Sequence, residues 1–325
     1  MKNYGITKDV ILETADVLSK YIFRTPLIRS DYYSEINGSD VFFKLENIQV
    51  TGSFKARGAM NMVLNTDSEK LNKGIFTVSA GNHALGVANA LRHLGHKGSI
   101  ILPENASPAK VEALKYFPVD LEFHGKSYDE AEDYAVSLIS KTDKTFIHPY
   151  NNPIVIAGQA SIGVEIFEDN KNIDILLVPV GGGGLIAGIA LAAKYLLPNI
   201  KIFGVQSEAS PVFKRSIDSG ELVRFQLDDS VADGLHGLVD MDSITFPIVM
   251  DTATDILLVS EDEIRTCITE FIQTHHMILE GSAAVIPAAV KSYSSLFEGK
   301  RVAGVLSGSN IDTRLLNSIL SETLK

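Results

Sequence analysis

The chain has 325 residues, 45% of them hydrophobic and 21% charged, the composition of a folded globular protein with room for two domains of ordinary size. Its formal net charge of -11 argues against nucleic acid and anionic membranes as partners, since both attract basic surfaces, and leaves small molecules as the expected ligands. One cysteine, Cys267, excludes an internal disulfide, and no apolar run reaches the length of a bilayer span, so the expected location is the cytoplasm.

In chain order, residues 1–23 carry Ile11, Ala15, Leu18 and Ile22 at helical spacing with charges between them, which predicts an amphipathic helix and not a signal peptide. Short β-rich runs then alternate with helical patterns: VFFKLE, GIFTVSA, GSIILP, VDLEFHG, TFIHPY, DILLVPVG, KIFGVQS, DILLVS and RVAGVLSG. Most are continuous enough to be buried on both faces, the signature of parallel sheets covered by helices. Ser107-Pro108 opens the helical pattern AKVEALKYF and Pro118 closes it, while Ser127 precedes YDEAEDYAVSLIS. The stretch from about Glu221 to Ile248 is the least regular and so a candidate functional excursion. The expected class is α/β with two domains, each an open, mostly parallel sheet flanked by helices, sharing a cleft. The strands are too numerous for one compact open sheet.

Four motifs carry chemistry. After VFFKLE the chain passes through Thr51-Gly52-Ser53-Phe54 and delivers Lys55 to the first turn of a helical pattern. A cation there opposes the helix dipole, a mild misfit that marks Lys55 even though such lysines are commonly just solvated. The second motif, Ser79-Ala80-Gly81-Asn82-His83, ends a strand before a helix and offers donors for a carboxylate, although Ser and Asn are also ordinary caps.

The third motif, Gly181-Gly182-Gly183-Gly184-Leu185, joins the strand DILLVPV to a small-residue helix. Without Cβ atoms, backbone N–H groups can converge on an anion at a helix N-terminus, which makes this turn a phosphate cup. No Gly-Lys-Ser/Thr follows, so it is not a nucleoside-triphosphate loop. Gly182-x-Gly184-x-x-Ala187, with Glu208 roughly twenty residues on, also satisfies the loose dinucleotide fingerprint, and at this level that rival stays open. The fourth motif, Ser307-Gly308-Ser309-Asn310, is another strand-end turn. No Gly-x-Ser-x-Gly elbow, HExxH or cysteine pair is present, Cys267 reads as a buried structural thiol, and His93, His96, His275 and His276 read as helix-end or surface histidines, so no metal is expected.

Taken together in this order, the four motifs resemble the pyridoxal-phosphate-dependent threonine/serine dehydratase and serine racemase family of the tryptophan-synthase-β fold type, over essentially the whole chain. The resemblance implies pyridoxal 5'-phosphate in the cleft, a large cofactor-binding domain of residues 1–50 and 146–325, and a small substrate-side domain of 51–145. It implies Lys55 as the Schiff-base lysine with Phe54 beside it, and Gly182, Gly183, Gly184 and Leu185 on the phosphate. Asn82 would meet the ring 3′ oxygen and Ser307 the pyridine nitrogen. Ser79, Ala80, Gly81, Asn82 and His83 would surround the substrate carboxylate. The implied reaction is β-elimination of a β-hydroxy amino acid to a 2-oxo acid and ammonia, in a homodimer or homotetramer.

Racemases of the group place a serine where this chain has Ala80, so racemisation is expected to be poor. Their divalent-cation site uses acidic residues where this chain has Gln206 and Val212, with Glu208 between, and is not expected. The chain's end at Lys325 leaves no room for the regulatory domain of biosynthetic relatives, which favours a catabolic or broad-specificity enzyme. Other outcomes are a dehydratase of hydroxyaspartate or phenylserine, a serine racemase, and a non-catalytic amino-acid-binding protein that keeps the fold.

Overall fold

The computed structural model describes residues 4–323; residues 1–3 and 324–325, the outermost parts of the expected first helix and large domain, lie outside the described residues. Ten strands form two sheets: β1 Leu27–Arg29, β2 Asp40–Lys44, β3 Ile75–Val78, β4 Gly98–Leu102, β5 Val119–Phe123, β6 Thr145–Phe146, β7 Ile175–Pro179, β8 Lys201–Ser207, β9 Asp255–Val259 and β10 Arg301–Val305. One sheet has six strands in the order β1-β2-β10-β7-β8-β9, the other four in the order β5-β4-β3-β6. Every pairing is parallel except β1 with β2, which run antiparallel with Leu27 opposite Lys44. This is the expected α/β architecture of two mostly parallel sheets flanked by helices.

Each of the nine β-rich runs holds one strand, β2 to β10. β1 is the addition: three residues after Pro26 are too short to show a period, and only pairing with β2 at the sheet edge makes them a strand. The central β7 is buried at every residue, whereas β5, on an edge, has no fully buried residue and exposes Asp120 and Phe123. The expected domain boundary at 145/146 falls inside β6, which pairs with β3 in the four-stranded sheet.

The amphipathic helix forms over Lys8–Leu18, capped by the Thr7 hydroxyl, with Ile11 and Leu18 buried. Cys267 is buried in the Glu261–His275 helix and its thiol is pushed up to about 12, first by loss of water and then by Glu270, so it is structural. Residues 220–244 contain no helix or strand. Among the described residues no helix is long and apolar enough to cross a membrane.

Three helices, Lys55–Leu64, Pro153–Asp169 and Gly184–Leu196, stack through glycines. A Cβ on Gly158 would lie 2.6 Å from the Gly58 Cα, and one on Gly188 would lie 2.5 Å from the Ile156 carbonyl oxygen. Gly86, in the Asn82–Leu94 helix, meets the Lys55 carbonyl in the same way, at 3.0 Å. Glycine at these contacts lets backbones approach where a methyl would force them apart.

Beneath the first turn of the Lys55–Leu64 helix lies an enclosed charge network. Arg57, with no exposed surface, donates to Glu46 through Nε (2.8 Å) and Nη2 (2.7 Å), to Glu165 through Nη1 (2.6 Å) and Nη2 (2.9 Å), and to the Ser161 hydroxyl (3.1 Å). Lys44 donates to Glu165 and to the Thr25 carbonyl, both at 2.5 Å. Two cations and two carboxylates thus pair with one another in a largely buried cluster. Although burial alone raises the Glu46 carboxyl, the charge and hydrogen bonds of Arg57 hold it below the usual carboxylate range.

Candidate active site

All four motifs follow carboxyl ends of parallel strands, where open α/β sheets place ligands. The Thr-Gly-Ser-Phe turn follows β2, Ser79–His83 follows β3, the glycine turn follows β7 and Ser307–Asn310 follows β10. The first and last meet directly: Ser53 bridges Gly308, and the Phe54 N–H donates to the Ser307 carbonyl at 3.0 Å. Gly52, with φ of 70°, packs where a Cβ would lie 2.8 Å from the Asn310 Oδ1.

Lys55 opens its helix as expected, but it is not simply solvated. Its Nζ donates to the Pro149 carbonyl at 3.0 Å and lies 5.3 Å from the Phe54 ring centroid. Loss of water around the ammonium brings it down to about 8, with Glu280 pulling the other way. The helix dipole adds nothing favourable to the charged form. The amine is therefore much more available as a nucleophile or base than an ordinary lysine.

The residue after Pro149 ties Lys55 to the glycine turn. The Tyr150 ring packs where a Cβ on Gly182 would come within 2.3 Å, and its own Cβ lies 3.0 Å from where one on Gly184 would be. Gly183 has φ of 83° and sits against Phe213 and Thr245. The turn is held from behind, with Thr245 Oγ1 donating to the Gly182 carbonyl (2.7 Å) and Gln206 Nε2 to the Val180 carbonyl (3.1 Å). Among the described residues, the backbone N–H groups of Gly182, Gly183, Gly184 and Leu185 meet no acceptor. Unsatisfied donors at a helix N-terminus are the chemistry an anion completes. Gln206, where a cation ligand would have been acidic, spends its amide on Val180 and on the Lys214 N–H (3.0 Å), and Glu208 is exposed.

The Ser79–His83 turn opens the Asn82–Leu94 helix. Ser79 Oγ accepts from the Gly81 N–H at 3.1 Å, and Ala80 is half-buried against the apolar core. His83 is buried with Nε2 3.1 Å from the Ile147 carbonyl, so that nitrogen carries the proton and Nδ1 faces inward without a partner. Burial first, then Lys55, brings this imidazole down to about 3. His83 is therefore neutral and can serve a carboxylate only through its backbone N–H. Ser307, 2% exposed, has a hydroxyl with no hydrogen-bond partner. A hydroxyl left without a partner among the described residues is available to a ligand atom.

Two residues of this site escape a reading of the sequence. Glu280, 4% exposed, is joined to Asn82, and Tyr150 backs the glycine turn. Glu280 stands 198 positions from Asn82, so no spacing reveals the pair. Its one sequence signal is an acidic residue abutting the small-residue run Gly-Ser-Ala-Ala. The irregular 220–244 stretch also reaches the site, since Gly181 packs against the Leu235 backbone and Asp240 pairs with His148 at 2.9 Å.

Comparison with known proteins decides the family. Residues 18–308 match the family described as pyridoxal-phosphate dependent enzyme. The chain belongs to it. Among relatives of this pyridoxal-phosphate-dependent enzyme, the "L-threonine ammonia-lyase" of Thermotoga maritima is 37% identical over 319 residues, 98% of this chain and 79% of that one. The "L-threonine dehydratase catabolic TdcB" of Escherichia coli K12 is 38% identical over 314 residues, 96% and 95% of the two chains. Among solved structures, the processed form of threonine deaminase isoform 2 from Solanum lycopersicum has a TM-score of 0.91 at 32% identity, covering 97% of this chain and 92% of that one. Maize serine racemase has a TM-score of 0.90 at 31% identity, covering 98% of both. The family's cofactor fits the residues present: partner-free N–H groups suit its phosphate, the orphan Ser307 hydroxyl suits a ring atom, and Lys55 is a desolvated amine.

Proposed function

We propose that this enzyme is a dehydratase (ammonia-lyase) of L-threonine or L-serine, forming a 2-oxo acid and ammonia. The observation that carries the reading is the desolvated amine of Lys55, whose charge acts on His83 of a turn where Ala80 has no group that can move a proton. Elimination needs one base at Cα, whereas racemisation needs a second on the opposite face.

In this reading Lys55 is the attachment point for the cofactor, with Phe54 at its side. The N–H groups of Gly182, Gly183, Gly184 and Leu185 hold the phosphate, Asn82 faces the ring 3′ oxygen and Ser307 the ring nitrogen. Bound pyridoxal phosphate supplies an electron sink for the pair left behind when the Cα–H bond breaks. The Ser79–His83 turn orients the substrate carboxylate with backbone donors at a helix N-terminus. Once the substrate amino group had displaced it from the cofactor, the Lys55 amine, near neutral pH far more often unprotonated than an ordinary lysine, would be free to take the Cα proton. The β-hydroxyl would leave as water, the proton taken from Cα closing the balance, and water added back to the unsaturated amine would yield the 2-oxo acid and ammonia. Ser307, a neutral hydroxyl, does not force a proton onto the ring nitrogen, which favours prompt loss of the leaving group over a long-lived carbanion.

The relatives named as L-threonine dehydratases, near 38% identity and with almost equal chain lengths in the Escherichia coli case, support threonine as the first substrate to assay. The same reading keeps a large unit of 1–50 and 146–325 around the phosphate and a small unit of 51–145, adjusted to include β6, on the substrate side. It also takes a homodimer or homotetramer in the cytoplasm as the working state.

Purified protein with pyridoxal phosphate is expected to show a visible absorption band that Lys55→Ala abolishes. It should form a 2-oxo acid from L-threonine or L-serine with little D-isomer. Absence of the band removes the cofactor assignment at Lys55. Turnover of hydroxyaspartate or phenylserine alone would replace the substrate, and abundant D-serine would replace dehydration with racemisation.

A further inference from the structure

Glu280 caps the Gly281–Ser292 helix from a buried position, and its backbone N–H donates to the Gly308 carbonyl at 3.1 Å. Its carboxylate accepts from Asn82 Nδ2 at 2.8 and 3.1 Å and from the Asn310 N–H at 3.1 Å. Asn310 Nδ2 donates in turn to Asn82 Oδ1 at 2.7 Å and to the Thr51 carbonyl at 2.8 Å. A Cβ on Gly308 would lie 2.5 Å from the Glu280 Oε1, so the carboxylate fits only because that neighbour of Ser307 is glycine.

The chain of bonds has a fixed direction while Glu280 is ionised, because both ends then only accept; burial raises this carboxyl to about 7, so the fixed direction belongs to the pH range above that. Thr51 contributes a carbonyl and Glu280 a carboxylate, so Asn310 must point its amide nitrogen at Thr51 and Asn82, and Asn82 must point its own at Glu280. The Asn82 oxygen is then occupied and one Nδ2 hydrogen is used. A single N–H donor is left over.

We propose that Glu280 is a positioning residue that fixes the amide of Asn82 so that it meets the bound cofactor only as a hydrogen-bond donor, suited to an anionic ring oxygen. The inference rests on the reading that pyridoxal phosphate binds beside Lys55. Glutamine at position 280 has nearly the same volume, yet it can donate as well as accept, so it removes the fixed polarity and allows Asn82 to turn its oxygen toward the ring. The effect differs from losing a structural ion pair. Lys55 feels the charge of Glu280 but is not bonded to it among the described residues, and the other charges that act on Glu280, Asp233 and Lys110, are paired with each other at 2.8 Å.

The test uses the full chain, measuring pyridoxal phosphate affinity and the position of the visible band for wild type, Glu280→Gln, Asn82→Ala and the double variant. Expected is a loss of affinity of at least tenfold and a displaced band in Glu280→Gln. In the double variant the loss should be no greater than in Asn82→Ala alone, because Glu280 acts through Asn82. Unchanged affinity and band in Glu280→Gln, or additive losses, would overturn the proposal while wild type still binds the cofactor. Failure of wild type to give a band would instead remove the reading beneath it. Should Glu280→Gln not fold, Asn310→Ala breaks the same chain at its middle and is read the same way, with unchanged affinity again overturning the proposal.

Discussion

Lys55 shows how one side chain is retuned by its surroundings. A lysine in a first helical turn is ordinarily hydrated and protonated at neutral pH. Here the ammonium donates to the Pro149 carbonyl and lies beside the Phe54 ring, and loss of water on burial lowers it to about 8. The sign of the stability consequence follows from linkage. Between about 8 and the ordinary 10.5 the unfolded chain binds a proton that the folded one does not, so folding becomes more favourable as pH rises through that window. Urea denaturation of cofactor-free protein should find Lys55→Met more stable than wild type at pH 7, with the gap closing by pH 10. A gap that does not change with pH would mean that the ammonium is hydrated after all.

At the scale of elements, glycine decides how close the helices come. Where the Lys55–Leu64, Pro153–Asp169 and Gly184–Leu196 helices cross, Gly58, Gly158 and Gly188 replace side chains with backbone contact. Gly158→Ala should cost about 1–3 kcal/mol by overpacking, read from the urea midpoint, because the obstructing atoms are Gly58 Cα and the Arg57 carbonyl, which cannot swing aside. Gly182→Ala meets a ring instead, with the Tyr150 Cγ 2.5 Å away. Its main expected effect is a loss of pyridoxal phosphate affinity larger than its loss of stability, measured by cofactor titration beside denaturation. Equal losses would make the turn a packing feature and not a phosphate site.

At the scale of the molecule, the Arg57 network connects the end of β2, the helix that carries Lys55 and the Pro153–Asp169 helix. Arg57→Met leaves Glu46 enclosed without a cation in direct contact and should cost about 3–5 kcal/mol of unfolding free energy, read by denaturation. Restoring volume without charge does not help, because the penalty comes from the carboxylate left behind. A loss under about 1 kcal/mol, the range of exposed pairs, would show that water reaches the pair.

Much of this protein can be read from its residues alone. Continuous apolar runs such as DILLVPVG suit strands buried on both faces in parallel sheets under helices, and four glycines in a row after one of them leave backbone donors suited to an anion. These are local constraints, and local sequence expresses them. The short edge strand β1 was not legible, since three residues have no period until β2 is beside them. Nor was Glu280, whose bonds to Asn82 and Asn310 span 198 and 30 positions. Whether Lys55 is an ordinary cation or an available amine, and whether Asn82 donates or accepts, depends on desolvation and on hydrogen-bond direction. Both are properties of what the fold packs around a residue, so tertiary structure alone decided them.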